Sequence, residues 1–80
     1  MTTIDKLRKL ILDLKKPHIT ADMLTPEALL EDTLMLDSLD LTELMVKAED
    51  ALGIEIDLDD IKNMPTIASA VEYFDKRLAK

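Results

Sequence analysis

Three stretches of this chain repeat their apolar residues at steps of three and four, which is the spacing of one face of a helix. Each stripe is useless unless buried against another, so the chain has to fold as helix on helix. The first stripe is Ile4, Leu7, Leu10, Ile11 and Leu14. It predicts a helix over roughly 3–16, capped by Thr2 or Thr3 and closed by Pro17. The second is Leu41, Leu44, Met45, Ala48 and Leu52, on a helix beginning near Asp37-Ser38. Asp40 and Glu43 suit the positive end of its dipole, and Gly53, the one glycine of the chain, suits a left-handed stop. The third is Ile67, Ala70, Val71, Phe74 and Leu78, starting at Thr66, with Lys76, Arg77 and Lys80 toward the negative end.

Between the first two helices, residues 17–37 have no sustained period. A connection of that length is long for a small domain, and such loops are functional or wrap the core. Leu24, Leu29, Leu30 and Leu34 predict wrapping, and Thr25-Pro26-Glu27 predicts one short helical turn. Further on, Asp57-Leu58-Asp59-Asp60-Ile61 predicts a short helix stopped by Pro65. The alternation Ile54-Glu55-Ile56 is too short to specify a strand and finds no partner strand. The expected architecture is therefore all-α, a small antiparallel four-helix bundle of three main helices and one short one, with a long first loop. Eighty residues make one domain, 1–80, expected to be a monomer.

Charge narrows the partners. Ten basic residues against seventeen acidic ones give a net charge of −7. Such a surface repels nucleic acid and anionic lipid, and it attracts basic protein surfaces. No apolar run approaches membrane-spanning length and no signal peptide is recognisable, so the expected compartment is the cytoplasm. There is no cysteine, which leaves no disulfide and no thiolate metal site. The acids of 57–60 do not make an EF-hand loop, because the sixth position from Asp57 is Lys62 and the twelfth is Ala68.

The informative stretch is Leu36-Asp37-Ser38-Leu39-Asp40, a serine hydroxyl at a helix start after a long loop. A phosphate on Ser38 would lie beside unpaired backbone N–H groups at the positive helix end. From spacing alone, however, Ser38 reads better as a helix cap. No base stands near enough in sequence to make it a nucleophile, since His18 is the sole histidine and lies in the loop.

Taken whole, the chain resembles the acyl carrier protein family over nearly its full length. Asp37-Ser38-Leu39, continued by Asp40-Leu41-Thr42-Glu43-Leu44, resembles the family's Asp-Ser-Leu motif and acidic second helix. Leu30-Glu31-Asp32-Thr33-Leu34 and Gly53-Ile54-Glu55-Ile56 resemble the approach to that helix and the exit from it. The resemblance implies that a phosphopantetheinyl transferase, using coenzyme A and Mg²⁺, attaches 4′-phosphopantetheine to Ser38. The thiol of that arm would carry acyl groups as thioesters in fatty acid, lipid or polyketide-type biosynthesis. The chain would be a carrier and not an enzyme, served by acyl-processing partners with basic patches: a ketosynthase, an acyltransferase or an adenylating ligase. It also implies partner contacts at the acids Asp37, Asp40, Glu43, Glu49 and Asp50, and at exposed apolar residues Leu39, Val46 and Ile56.

Two departures from the family pattern qualify the cargo. Met35 stands where a glycine is common, followed by Leu36, and aliphatic residues there resemble D-alanyl carrier proteins. Ala48 stands at a second-helix position that is usually larger in fatty acid carriers, and Lys47 interrupts the acidic face. The alternatives are thus an aminoacyl or D-alanyl carrier, or an unmodified interaction module with a carrier-like fold. Leu30, Leu44, Ala48, Met64 and Ala70 are candidates to shelter an acyl chain, although they read first as core.

Overall fold

The computed structural model describes residues 2–79. Its helices are α1 (Thr3–Asp13), α2 (Ser38–Leu52) and α3 (Ile67–Leu78), with 3₁₀ segments at Ala21–Met23 and Leu58–Asn63. The all-helical expectation holds, and the short fourth helix is a 3₁₀ segment. Helix α1 packs on both α2 and α3.

Each helix starts where a short polar side chain can serve its free amides. Thr2 accepts from the Asp5 N–H at α1, and Thr66 from the Ser69 N–H at α3. Helix α1 ends three residues earlier than its stripe predicts. Lys15 takes a left-handed φ of 57°, and Lys16 precedes Pro17, whose ring disfavours helical geometry in the residue before it. Helix α2 stops at Gly53, with φ of 66°, as its position suggests.

The three stripes meet in one core. Phe74, Leu7, Ile11, Leu44, Met45 and Ile67 are fully buried, joined by Met64 from the stretch between the second 3₁₀ segment and α3. Burying each large side chain contributes about 1.5–3 kcal/mol. Ala48 and Ala70 lie in the same core, letting helix backbones approach closely.

The long loop wraps this core, burying Leu24, Leu30, Leu34 and Leu36, while Leu29 stays exposed. It does something the sequence does not announce. The carbonyls of Pro26 and Ala28 accept from the Ala68 and Ile67 N–H groups at 2.9 and 3.0 Å, and the Leu30 N–H donates to the Pro65 carbonyl at 2.9 Å. First-turn amides of α3 thus find partners in the loop, where a helix alone has none. The expected helical turn after Pro26 does not form. The chain makes an ordinary turn there, closed by the Ala28 N–H on the Thr25 carbonyl, and the loop's one 3₁₀ turn lies upstream at Ala21–Met23. Backbone committed to α3 cannot also coil into a helix of its own.

Residues 54–56 form no strand. The Ile56 N–H instead donates to the Glu49 carboxylate at 2.8 Å. The second 3₁₀ segment is fastened to α3 by a polar cluster. The Tyr73 hydroxyl donates to the Asp60 carboxylate at 2.7 Å, and Arg77 donates to that hydroxyl at 2.7 Å while lying over the tyrosine ring.

Candidate functional site

Asp37, not Ser38, caps α2. Its carboxylate accepts from the Asp40 N–H at 2.8 Å, and the Asp40 carboxylate accepts from the Asp37 N–H at 3.2 Å. This reciprocal capping box leaves Ser38 as the first residue of the helix, exposed to solvent, with its side chain not needed to start the helix. Its carbonyl accepts from the Thr42 hydroxyl at 2.9 Å, which ties down the turn that presents it. The N–H groups of Ser38 and Leu39 precede the first helical hydrogen bond, so they are free to meet an anion.

Beside Ser38 runs a groove of about 370 Å³ between α2 and the second 3₁₀ segment. Leu41, Leu58 and Ile61 supply its apolar part, and Glu31, Thr42, Asp59 and Lys62 its polar part. An arm leaving the Ser38 hydroxyl therefore has open space and mixed surface at its root. These residues fit an attached phosphopantetheine: an exposed hydroxyl, unpaired amides beside it, and a groove adjoining.

The expected partner residues divide into three groups. Asp37, Glu43, Asp50, Leu39 and Val46 stand in solvent, Leu39 with 80% of its surface exposed. Glu49 is half-buried and its carboxylate holds the Ile56 amide. Ile56 and Asp40 are buried. The expectation that Ile56 is an exposed apolar contact is corrected: it is 7% exposed, because the chain leaving Gly53 folds back along α2 and packs it into the core.

Asp40 is likewise not an open surface acid. One oxygen lies 2.8 Å from the Lys16 ammonium and the other holds the Asp37 amide. The Lys16 hydrogen bond lowers the Asp40 pKa below the ordinary carboxylate value, partial burial opposes it, and the Asp37 amide adds to the lowering. The same hydrogen bond raises the Lys16 pKa, against the cost of partial burial. Sequence reasoning missed Lys16, since a lysine after a helix end, beyond every stripe, carries no periodic signal.

His18 makes its contact elsewhere, its Nε2 lying 2.9 Å from the Leu34 carbonyl. Leu30, Leu44, Ala48, Met64 and Ala70 are all fully buried as core. Among the described residues no cluster of His, Cys, Asp or Glu is placed to hold a metal ion, and no helix is long and apolar enough to cross a membrane.

Residues 5–74 match the family model described as phosphopantetheine attachment site. The acyl carrier protein of Nitratidesulfovibrio vulgaris (strain DP4) is 37% identical over 73 residues, covering 91% of this chain and 93% of its own. That of Desulforapulum autotrophicum is 39% identical over 77 residues, covering 96% and 99%. Among solved structures, the acyl carrier protein from Enterococcus faecalis superimposes with a TM-score of 0.73 at 29% identity, covering 96% of this chain and 99% of that one. These matches span almost the whole chain. This chain belongs to the acyl carrier protein family, a carrier and not an enzyme, with 4′-phosphopantetheine as its cofactor and with phosphopantetheinyl transferases and acyl-processing enzymes as its partners.

Proposed function

We propose that Ser38 is the residue that bears the 4′-phosphopantetheine arm, and that the holo chain carries acyl groups through fatty acid, lipid or polyketide-type biosynthesis as one domain. The observation that carries this reading is the division of labour at the start of α2: Asp37 caps the helix, and the Ser38 hydroxyl beside it stays exposed. When bound, the arm supplies a terminal thiol on which an acyl group rides as a thioester, chemistry that a cysteine-free chain lacks.

The chain's own contribution is presentation. The free amides of Ser38 and Leu39 favour the phosphodiester, whose charge also meets the positive end of α2. Leu41, Leu58 and Ile61 in the adjoining groove give the arm's apolar atoms a surface. Exposed Asp37, Glu43 and Asp50 steer partners with basic patches, a ketosynthase, acyltransferase or adenylating ligase among them. Leu39 and Val46 offer apolar contact amid those acids.

The test is direct. Apo protein incubated with coenzyme A, Mg²⁺ and a broad-specificity transferase is expected to gain the mass of one phosphopantetheine. The Ser38→Ala variant is expected to gain none. An equal gain in that variant would place the arm elsewhere.

A further inference from the structure

The ion pair at the foot of α2 points beyond capping. We propose that Lys16 is a positioning residue for the modification of Ser38, acting through Asp40, and that Asp40 is an internal strut and not an acid read by partners. The proposal rests on Ser38 being the modified residue.

Three observations carry it. The Lys16 ammonium lies 2.8 Å from Asp40 Oδ1, and the Asp40 side chain is only 11% exposed. Asp40 Oδ2 is also engaged, since it accepts from the Asp37 N–H. A cationic partner would therefore have to displace Lys16 before it could reach this carboxylate. Finally, the Lys16 backbone is tied down at the end of α1: it follows the left-handed Lys15, and its carbonyl accepts from the N–H of the buried Ile19 at 3.0 Å. The pair thus ties the α1 end of the molecule to the first turn of α2, and Ser38 lies between the two members of the capping box it braces.

Removing the ammonium leaves a part-buried carboxylate without its partner, which is costly until that carboxylate turns to water. In turning, it releases the Asp37 amide and the helix start loosens around Ser38. A reacting hydroxyl held less well reacts more slowly even if encounter with the enzyme is unchanged.

Charge makes the test decisive. Lys16→Met makes the chain more negative and Asp40→Asn makes it less negative, so an effect on encounter alone has opposite signs in the two variants. Steady-state loading of apo protein by a phosphopantetheinyl transferase, followed by intact mass, separates kcat from KM. The expected result is a several-fold fall in kcat in both variants, little change in KM, and a double variant no slower than the worse single one. Lys16→Arg, which keeps a cation there, restores the kcat that Lys16→Met loses.

A lower KM with unchanged kcat in Lys16→Met would mean that Asp40 is a docking acid newly freed, and would overturn the proposal. So would additive losses in the double variant, or unchanged kcat in both single variants. Amide exchange at Asp37 reports the strut without any enzyme: it is expected to quicken in Lys16→Met and Asp40→Asn alike, and unchanged exchange would overturn the strut. Failure of the wild-type chain to load refutes the modification of Ser38 instead, and the exchange result is read separately from it.

Discussion

Met35 holds a left-handed φ of 55° with no glycine's freedom to excuse it, and 69% of its surface is exposed. That backbone lets its neighbours Leu34 and Leu36 both turn into the core. From the sequence, Met35 and Leu36 read together as an aliphatic pair bearing on cargo. In the fold they part, one strained and in solvent, the other buried. A side chain in this region costs about 1–2 kcal/mol, and glycine's greater freedom when unfolded returns about half of that. Met35→Gly is therefore expected to stabilise the fold by about 0.5–1 kcal/mol and raise Tm by several degrees, read by thermal unfolding. An unchanged or lowered Tm would mean that the Met35 side chain makes a contact worth its strain.

At the scale of elements, the capping box separates two adjacent residues that the sequence alone leaves interchangeable. Asp37→Ala removes the acceptor of the Asp40 amide and is expected to cost about 1 kcal/mol in urea unfolding. Ser38→Ala, which touches no cap, is expected to stay within about 0.5 kcal/mol of the parent. Equal losses would show that Ser38 shares the capping. The three main helices were legible because burial imposes its period on the residues that pack, and all three stripes face the core save at Leu78, which lies in solvent. Their limits were less legible, because Lys15 ends α1 through a backbone turn that no stripe records. The turn after Pro26 and Ile56 were misread for a related reason. Their positions are set by hydrogen bonds to α3 and to Glu49, partners remote in sequence.

The whole molecule has a small core with one aromatic residue in it, Phe74, fully buried. Phe74→Ala is expected to cost about 3–5 kcal/mol, a large share of the stability of so short a chain, and to show a populated unfolded state by circular dichroism without denaturant. Stability should also depend on pH through the Lys16–Asp40 pair. Asp40 has a lowered pKa, so its contribution is present above the ordinary aspartate range and is lost as pH falls through the folded value. Lys16, raised by Asp40 and further by the charges of Asp37 and Glu43, contributes below the ordinary lysine range and loses that contribution as pH rises through its folded value. Urea midpoints should therefore show a plateau bounded by an acidic and an alkaline fall, and Lys16→Met should flatten the alkaline one. Of the site, the serine and its acidic surroundings were legible in the sequence. The strut beneath it was not, because Lys16 and Asp40 meet only once α1 has packed on α2.

The carbonyls that the loop lends to α3 bear on any attempt to transplant or resize this protein. Pro26 and Ala28 must arrive at the first turn of α3 in register with Ala68 and Ile67. The segment is thus a fitted part and not a tether. A single residue inserted between Pro26 and Leu30 would misalign one backbone against the other. A graft of Ser38 and its helix onto another scaffold would bring the exposed hydroxyl but leave behind the frame that aims it.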